Sequence, residues 1–157
     1  MTNTQELKTK FWKSLAKSPF VFLQLDADPH TAVPMTAQLD EDANHAIWFF
    51  LGKDHTFAGG GQATATFADK GHEMFARFSG NLMPELSRER LDKEWSKQIE
   101  SWFPGGKDDP NLLMMRMDLT GEAEIWNANL GLIDGAKIML GMDVRDDAQK
   151  EHTETTL

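Results

Sequence analysis

The sequence predicts a mainly β domain with flanking helices, and three observations predict it. Short apolar runs rich in Val, Ile, Phe and Thr recur between turn-forming clusters of Asp, Asn, Gly and Pro. Two stretches with apolar residues at fourfold spacing stand before and within them as helices. The chain has 157 residues, 40% of them hydrophobic, with 10 Phe and 5 Trp but neither Cys nor Tyr. That length and composition suit one globular domain around one core, and the missing thiols exclude disulfides, cysteine metal sites and thiol catalysis.

The first element is an amphipathic helix. Leu7, Phe11 and Leu15 recur every fourth residue, Trp12 widens the stripe, and Lys8, Lys10, Lys13 and Lys17 face elsewhere. Pro19 closes it, because proline has no N–H to continue the ladder. Phe20 to Leu25 then reads as a strand, ended by the turn composition Asp26-Ala27-Asp28-Pro29. Thr31 to Leu39 is a second strand and His45 to Leu51 a third, the latter too apolar to leave one face in water. Gly59-Gly60-Gly61 breaks the chain before a fourth strand, Ala63 to Phe67, and Asp69-Lys70-Gly71 turns it into a fifth, Glu73 to Leu82.

A helix capped by Ser87 carries its apolar stripe through Leu91, Trp95 and Ile99 to Trp102-Phe103. After a turn-rich loop, Pro104 to Pro110, come strands at Leu112 to Asp118 and Gly121 to Trp126, then a closing helix at Leu130 to Met142. Strands at such spacing suggest a barrel or a sandwich. Residues 1–142 form the domain, and residues 143–157, rich in Asp, Glu and Thr, form an acidic, flexible tail.

Charge narrows the partners. The net charge of −9 excludes nucleic acid as the main partner, since that affinity comes from Lys and Arg placed on phosphates. No apolar run of about 18 residues exists and the start is polar, so neither a membrane span nor a secretory signal is expected, and the location expected is cytoplasmic. The five His are scattered without a His-x-x-x-His or Glu-x-x-His pair, so no metal cage is expected. Gly-x-Ser-x-Gly, Gly-x-Gly-x-x-Gly and the Gly-Lys-[Ser/Thr] phosphate loop are absent. One loop remains, Gly52-Lys53-Asp54-His55-Thr56. Lys53, His55 and the Thr56 hydroxyl can donate to phosphate oxygens, and Gly52 lets backbone amides come close.

Taken in order, the pieces resemble the flavin-binding split-barrel proteins of the pyridoxamine 5′-phosphate oxidase-like superfamily, in its general stress protein 26 branch. The resemblance runs from Phe11 to about Met142. It rests on Phe11-Trp12, Pro34-Met35-Thr36-Ala37, Ile47-Trp48-Phe49-Phe50, Ala63-Thr64-Ala65-Thr66-Phe67, Lys70 to Ala76 and Ser79-Gly80-Asn81-Leu82. Its most specific part is Trp102-Phe103-Pro104-Gly105-Gly106-Lys107-Asp108-Asp109-Pro110, followed by Leu112 to Arg116 and Ala123-Glu124-Ile125-Trp126.

The resemblance implies a six-stranded split barrel that dimerises, with flavin mononucleotide (FMN) at the interface and flavin adenine dinucleotide (FAD) as the variant. Carried over by position, Pro34, Met35 and Thr36 would run along the isoalloxazine edge. Phe50, Leu51 and Gly52 would meet the ring and ribityl chain, and Lys53, His55 and Thr56 the phosphate. Trp102 and Phe103 would cross the interface and close the pocket. Where the family's third strand commonly ends in Thr-Ser this chain has Leu51-Gly52, and where a lysine commonly follows it has Thr56 or Phe57. The activity implied is flavin-dependent redox chemistry on a small molecule. Flavin storage or sensing without turnover, and a flavin-free dimeric binding module, are the alternatives.

Overall fold

The computed structural model describes residues 4–43, 45–127 and 152–157; the helix expected over residues 130–142 lies outside them. Helix α1, Thr4–Lys17, buries Leu7, Phe11 and Leu15 as its spacing predicts. Phe11 sits at the centre of the core, with its ring edge-on to Trp12, Phe67 and Phe78 at 5.3, 6.0 and 5.5 Å. Burying each such side chain contributes about 1.5–3 kcal/mol.

Strands β1 (Phe20–Leu25) and β2 (Asp28–Thr36) form a tight hairpin, with Leu25 paired to Asp28. The second strand therefore starts three residues earlier than its apolar pattern suggested, because the turn needs only Asp26 and Ala27. Strands β3 (Ala46–Gly52), β4 (Gly61–Ala68), β5 (Met74–Pro84), β6 (Leu112–Asp118) and β7 (Ala123–Asn127) follow. The antiparallel order is β2-β1-β4-β5-β6-β3, and β7 branches from the first half of β5. Six strands thus make the curled path of a split barrel. Ile47, Phe49 and Leu51 point inside, while Ala46 and Trp48 are buried on the outer face against Ala43 and Met114. This double burial is why the third strand carries no polar side.

The helix expected from Ser87 to Trp102 is broken. Ser87 caps α2, Arg88–Glu94, by accepting the Arg90 N–H at 3.2 Å, but Trp95 is extended and Ser96 caps a new short helix α3, Lys97–Glu100. A serine side chain competes for backbone donors and favours caps over helix interiors, and the extended Trp95 packs its ring on Phe50. The acidic end is corrected as well. Part of the segment expected to be a flexible tail, His152–Thr155, is strand β8, paired antiparallel to β7 with Glu124 opposite Glu154.

Glycine is required where strands crowd. A Cβ on Gly80 would lie 2.1 Å from the Asp118 carbonyl oxygen, at the point where β5 passes from β7 to β6. Gly60 has φ 67° and its Cβ would strike the Leu82 carbonyl at 2.4 Å, so the middle of the glycine triplet is a sterically fixed bend.

Candidate functional site

The barrel closes at one point. Gln38 and Trp48 exchange both backbone hydrogen bonds, at 2.7 and 3.0 Å, joining the chain just after β2 to β3. Beyond this bridge β2 and β3 share no ladder, and the seam between them is open. Pro29 and Pro34 explain why, since a strand with two residues lacking N–H is confined to a sheet edge. Continuing the antiparallel register of the bridge sets Thr36 opposite Phe50 and Pro34 opposite Gly52. The two predicted ring-binding segments are therefore the two lips of one seam.

Side chains alternate across these lips. Met35 and Leu51 turn into the barrel and pack on the core. Phe50 turns outward, with its ring edge-on to Trp95 at 6.0 Å and 80°. Pro34 is exposed and Thr36 half-buried beside β1, whose Phe22 and Phe20 pair with them and are 55% and 56% exposed. The seam is thus bordered by apolar surface and unpaired strand edges. An open groove of about 420 Å³, lined by Phe22, Thr66, Phe75, Arg77 and Trp126 among others, lies on the outer face beyond Phe22 rather than at the seam itself.

Loop 52–56 ends the β3 lip, and its own hydrogen bonds decide how it could meet a phosphate. The Lys53 N–H donates to the Asn111 carbonyl at 3.0 Å and to its side-chain oxygen at 3.2 Å. The N–H groups of His55, Ala58 and Gly60 donate to Gly52, His55 and Phe57. His55 caps the 3-10 turn Thr56–Gly59 by accepting the Phe57 N–H on Nδ1 at 3.1 Å. Accepting on Nδ1 leaves the proton of a neutral ring on Nε2, which is then a donor.

The amides of Lys53, His55, Phe57, Ala58 and Gly60 are thus committed internally. Side chains with donors for an anion also stand on the loop, the exposed Lys53 and Thr56 and the half-buried His55. Asp54 opposes them. Its Oδ1 lies 2.8 Å from the position of a Gly52 Cβ, and Asn111 Nδ2 lies 3.0 Å from it, so the glycine makes room for these two side chains.

Sequence reasoning missed Asn111, whose position depends on the turn before it. Asp109 accepts the Gly105 and Asn111 N–H groups at 2.9 and 2.8 Å, and these bonds hold its carboxyl below the usual carboxylate range. Arg88–Asp108 at 2.8 Å and Lys107–Asp92 at 2.9 Å tie the same loop to α2. Trp102 and Phe103 part company on this platform: Trp102 is 76% exposed, whereas Phe103 is buried within its own chain.

The family model described as pyridoxamine 5′-phosphate oxidase like matches residues 6–147. The chain belongs to this family. Among solved structures, it is 38% identical to the general stress FMN/FAD binding protein of Xanthomonas citri, covering 82% of this chain and 94% of that one, with a TM-score of 0.75. A general stress family protein of Xanthomonas campestris is 37% identical over 84% and 94% of the two chains, with a TM-score of 0.75. A protein of Jannaschia sp. described as a general stress protein 26 is 25% identical over 99% of both chains, again with a TM-score of 0.75. No curated protein matches. No helix among the described residues is long and apolar enough to cross a membrane.

On the two lips, Pro34, Met35, Thr36, Phe50, Leu51 and Gly52 carry no ionisable side chain. Further charged groups with displaced protonation lie around Asp40 and α2. Lys93, Arg90 and the Asp42 N–H hold Asp40 well below the usual carboxylate range, and Arg90 also stacks 4.1 Å over Trp48. Burial pushes Glu94 up, against the pull of Arg90 at 3.2 Å.

Proposed function

We propose that this protein binds FMN along the β2–β3 seam, in a site completed by a second copy of the chain, and uses it for redox chemistry on a small molecule. The observation that carries the proposal is the 38% identity, over 82% of the chain, to a general stress FMN/FAD binding protein. The seam supports it with unpaired backbone on two lips, which suits the polar edge of a flat ring, and with aromatic surface beside it. Lys53, His55 and Thr56 hold the phosphate through side-chain donors. Phe50, braced by Trp95, keeps water from the β3 lip. Trp102 stands free to reach a partner's site, while Phe103 supports the loop from inside its own fold.

The flavin, when bound, supplies the hydride or electron transfer, and the chain's residues bind, orient and shield it. FAD is the second candidate, since it offers the same ring. The absence of ionisable side chains on the lips favours a non-catalytic reading, storage or sensing, as the alternative. Asp54, a carboxylate set among the phosphate donors, favours a flavin-free binding module as the third.

The visible spectrum of the purified protein tests the proposal. A yellow protein, or a colourless one that takes up added FMN, is the expected result; failure to take up FMN or FAD overturns the first two readings together. Anaerobic addition of a reduced nicotinamide cofactor then bleaches the flavin under the redox reading and leaves it yellow under the storage reading.

A further inference from the structure

Strand pairing far from the seam assembles a second group of ligating side chains. We propose that Glu124, His152 and Glu154 form a binding site for a divalent transition-metal ion that fastens β8 to the barrel. On β7, Ala123 and Ile125 turn into the core, which leaves Glu124 and Trp126 outside. The register places Glu154 opposite Glu124 and His152 opposite Trp126, so all three ligating residues share the outer face. One ligand atom from each lies within 4.8 Å of the others.

Donors held at about 2.0–2.2 Å from a shared ion stand roughly 3–3.5 Å apart. His152 Nε2 and Glu124 Oε2, 3.3 Å apart, already have that spacing, and the exposed Glu154 brings a carboxylate oxygen within 4.8 Å of the other ligand atoms. The first two are also held in place. Arg77 Nη2 binds Glu124 Oε1 at 2.6 Å and leaves Oε2 turned towards His152, whose ring stacks on Trp126 at 5.2 Å and 21°.

An ordinary ion pair would account for Glu124 and His152 alone. It leaves Glu154 directly across the ladder from Glu124, a like-charge pairing that destabilises a sheet unless a cation lies between them. Arg77 answers one carboxylate and is 54% exposed, so its charge is largely screened. One imidazole with two carboxylates suits Zn²⁺ or Ni²⁺ better than Mg²⁺ or Ca²⁺, and three protein ligands leave a position for water.

Calorimetric titration of the full-length, tag-free protein with Zn²⁺ tests the site, in parallel with and without added FMN so that its failure is separate from that of the flavin reading. One ion per chain is expected, with no comparable heat from Mg²⁺ and a higher melting temperature in Zn²⁺. His152→Ala should weaken binding on the order of tenfold or more, at least the loss seen for an outer-shell partner of a metal site. Glu154→Gln, on an exposed side chain, should weaken binding with the fold unchanged by circular dichroism. No uptake below millimolar Zn²⁺, or binding by both variants equal to that of the wild type, overturns the proposal.

Discussion

At the scale of single residues, the phosphate end proposed for the seam draws on Lys53, His55 and Thr56 as side chains, because the amides of Lys53, His55 and Phe57 are already bonded within the fold. Substituting them therefore removes charge and donors without dismantling a backbone nest. A hydrogen bond to a charged group contributes about 1.5–3 kcal/mol, so Lys53→Ala with His55→Ala should weaken FMN uptake by roughly ten- to a hundredfold in a fluorescence titration. Unchanged affinity would remove these residues from the site. His55 also caps the turn at Thr56, and Lys53→Ala alone separates lost charge from a loosened loop. Asp54→Asn should act in the opposite direction and tighten uptake a few-fold, because it removes a carboxylate from beside the phosphate. The donors are legible in the sequence. That Asp54 and Asn111 fill the space beside Gly52 is not, since Asn111 is brought there by the distant turn that leads into β6.

At the scale of elements, α2 is pinned across the outer face of β3 by charge. Asp40, whose side chain is only 4% exposed, accepts from Arg90 and from Lys93 at 2.8 Å, so its folded-state pKa lies below the unfolded one. That stabilisation is present above the ordinary carboxylate pKa near 4 and is lost as pH falls below it. Glu94 has the opposite sign: burial raises its pKa in the folded state, so protonation on acidification relieves a cost. Acid unfolding of the wild type should therefore steepen below about pH 4. Asp40→Asn should lose about 1.5–3 kcal/mol at pH 7 in urea melts and flatten the acid limb, and a variant with the wild-type pH profile would show that the network is not what pins α2. Charge reading along the chain could not find this network, because the turn at Asp40 and the helix at Arg90 are fifty positions apart.

At the scale of the whole molecule, one chain presents an open seam, an exposed Trp102 and two half-exposed phenylalanines next to Pro34. A second copy covering Phe20 and Phe22 would bury apolar surface and close the site in one step. Sedimentation at micromolar concentration should accordingly give a dimer. Phe22→Ser should shift it towards monomer and lower FMN uptake together, whereas a wild-type monomer that still binds flavin would refute a shared site. Loop 52–56 holds one cation, Lys53, beside one acid, Asp54, in a chain of net charge −9.

The sequence by itself determined the class of fold, the approximate place of strands β1 to β7, the stripe of α1 and the cap at Ser87, because these follow from periodicity and local hydrogen bonding. It also located the two segments that become the lips, through their ordered motifs. Only the tertiary structure decided that these lips face each other across an unzipped seam, through the Gln38–Trp48 bridge and the edge strand that two prolines impose. It likewise broke the second helix at Trp95, where packing against Phe50 and a serine cap prevailed over the apolar stripe. Above all, it turned part of an acidic tail into β8. Composition marks such a segment as soluble, but the partner that orders it, β7 with Glu124, is supplied by the rest of the fold.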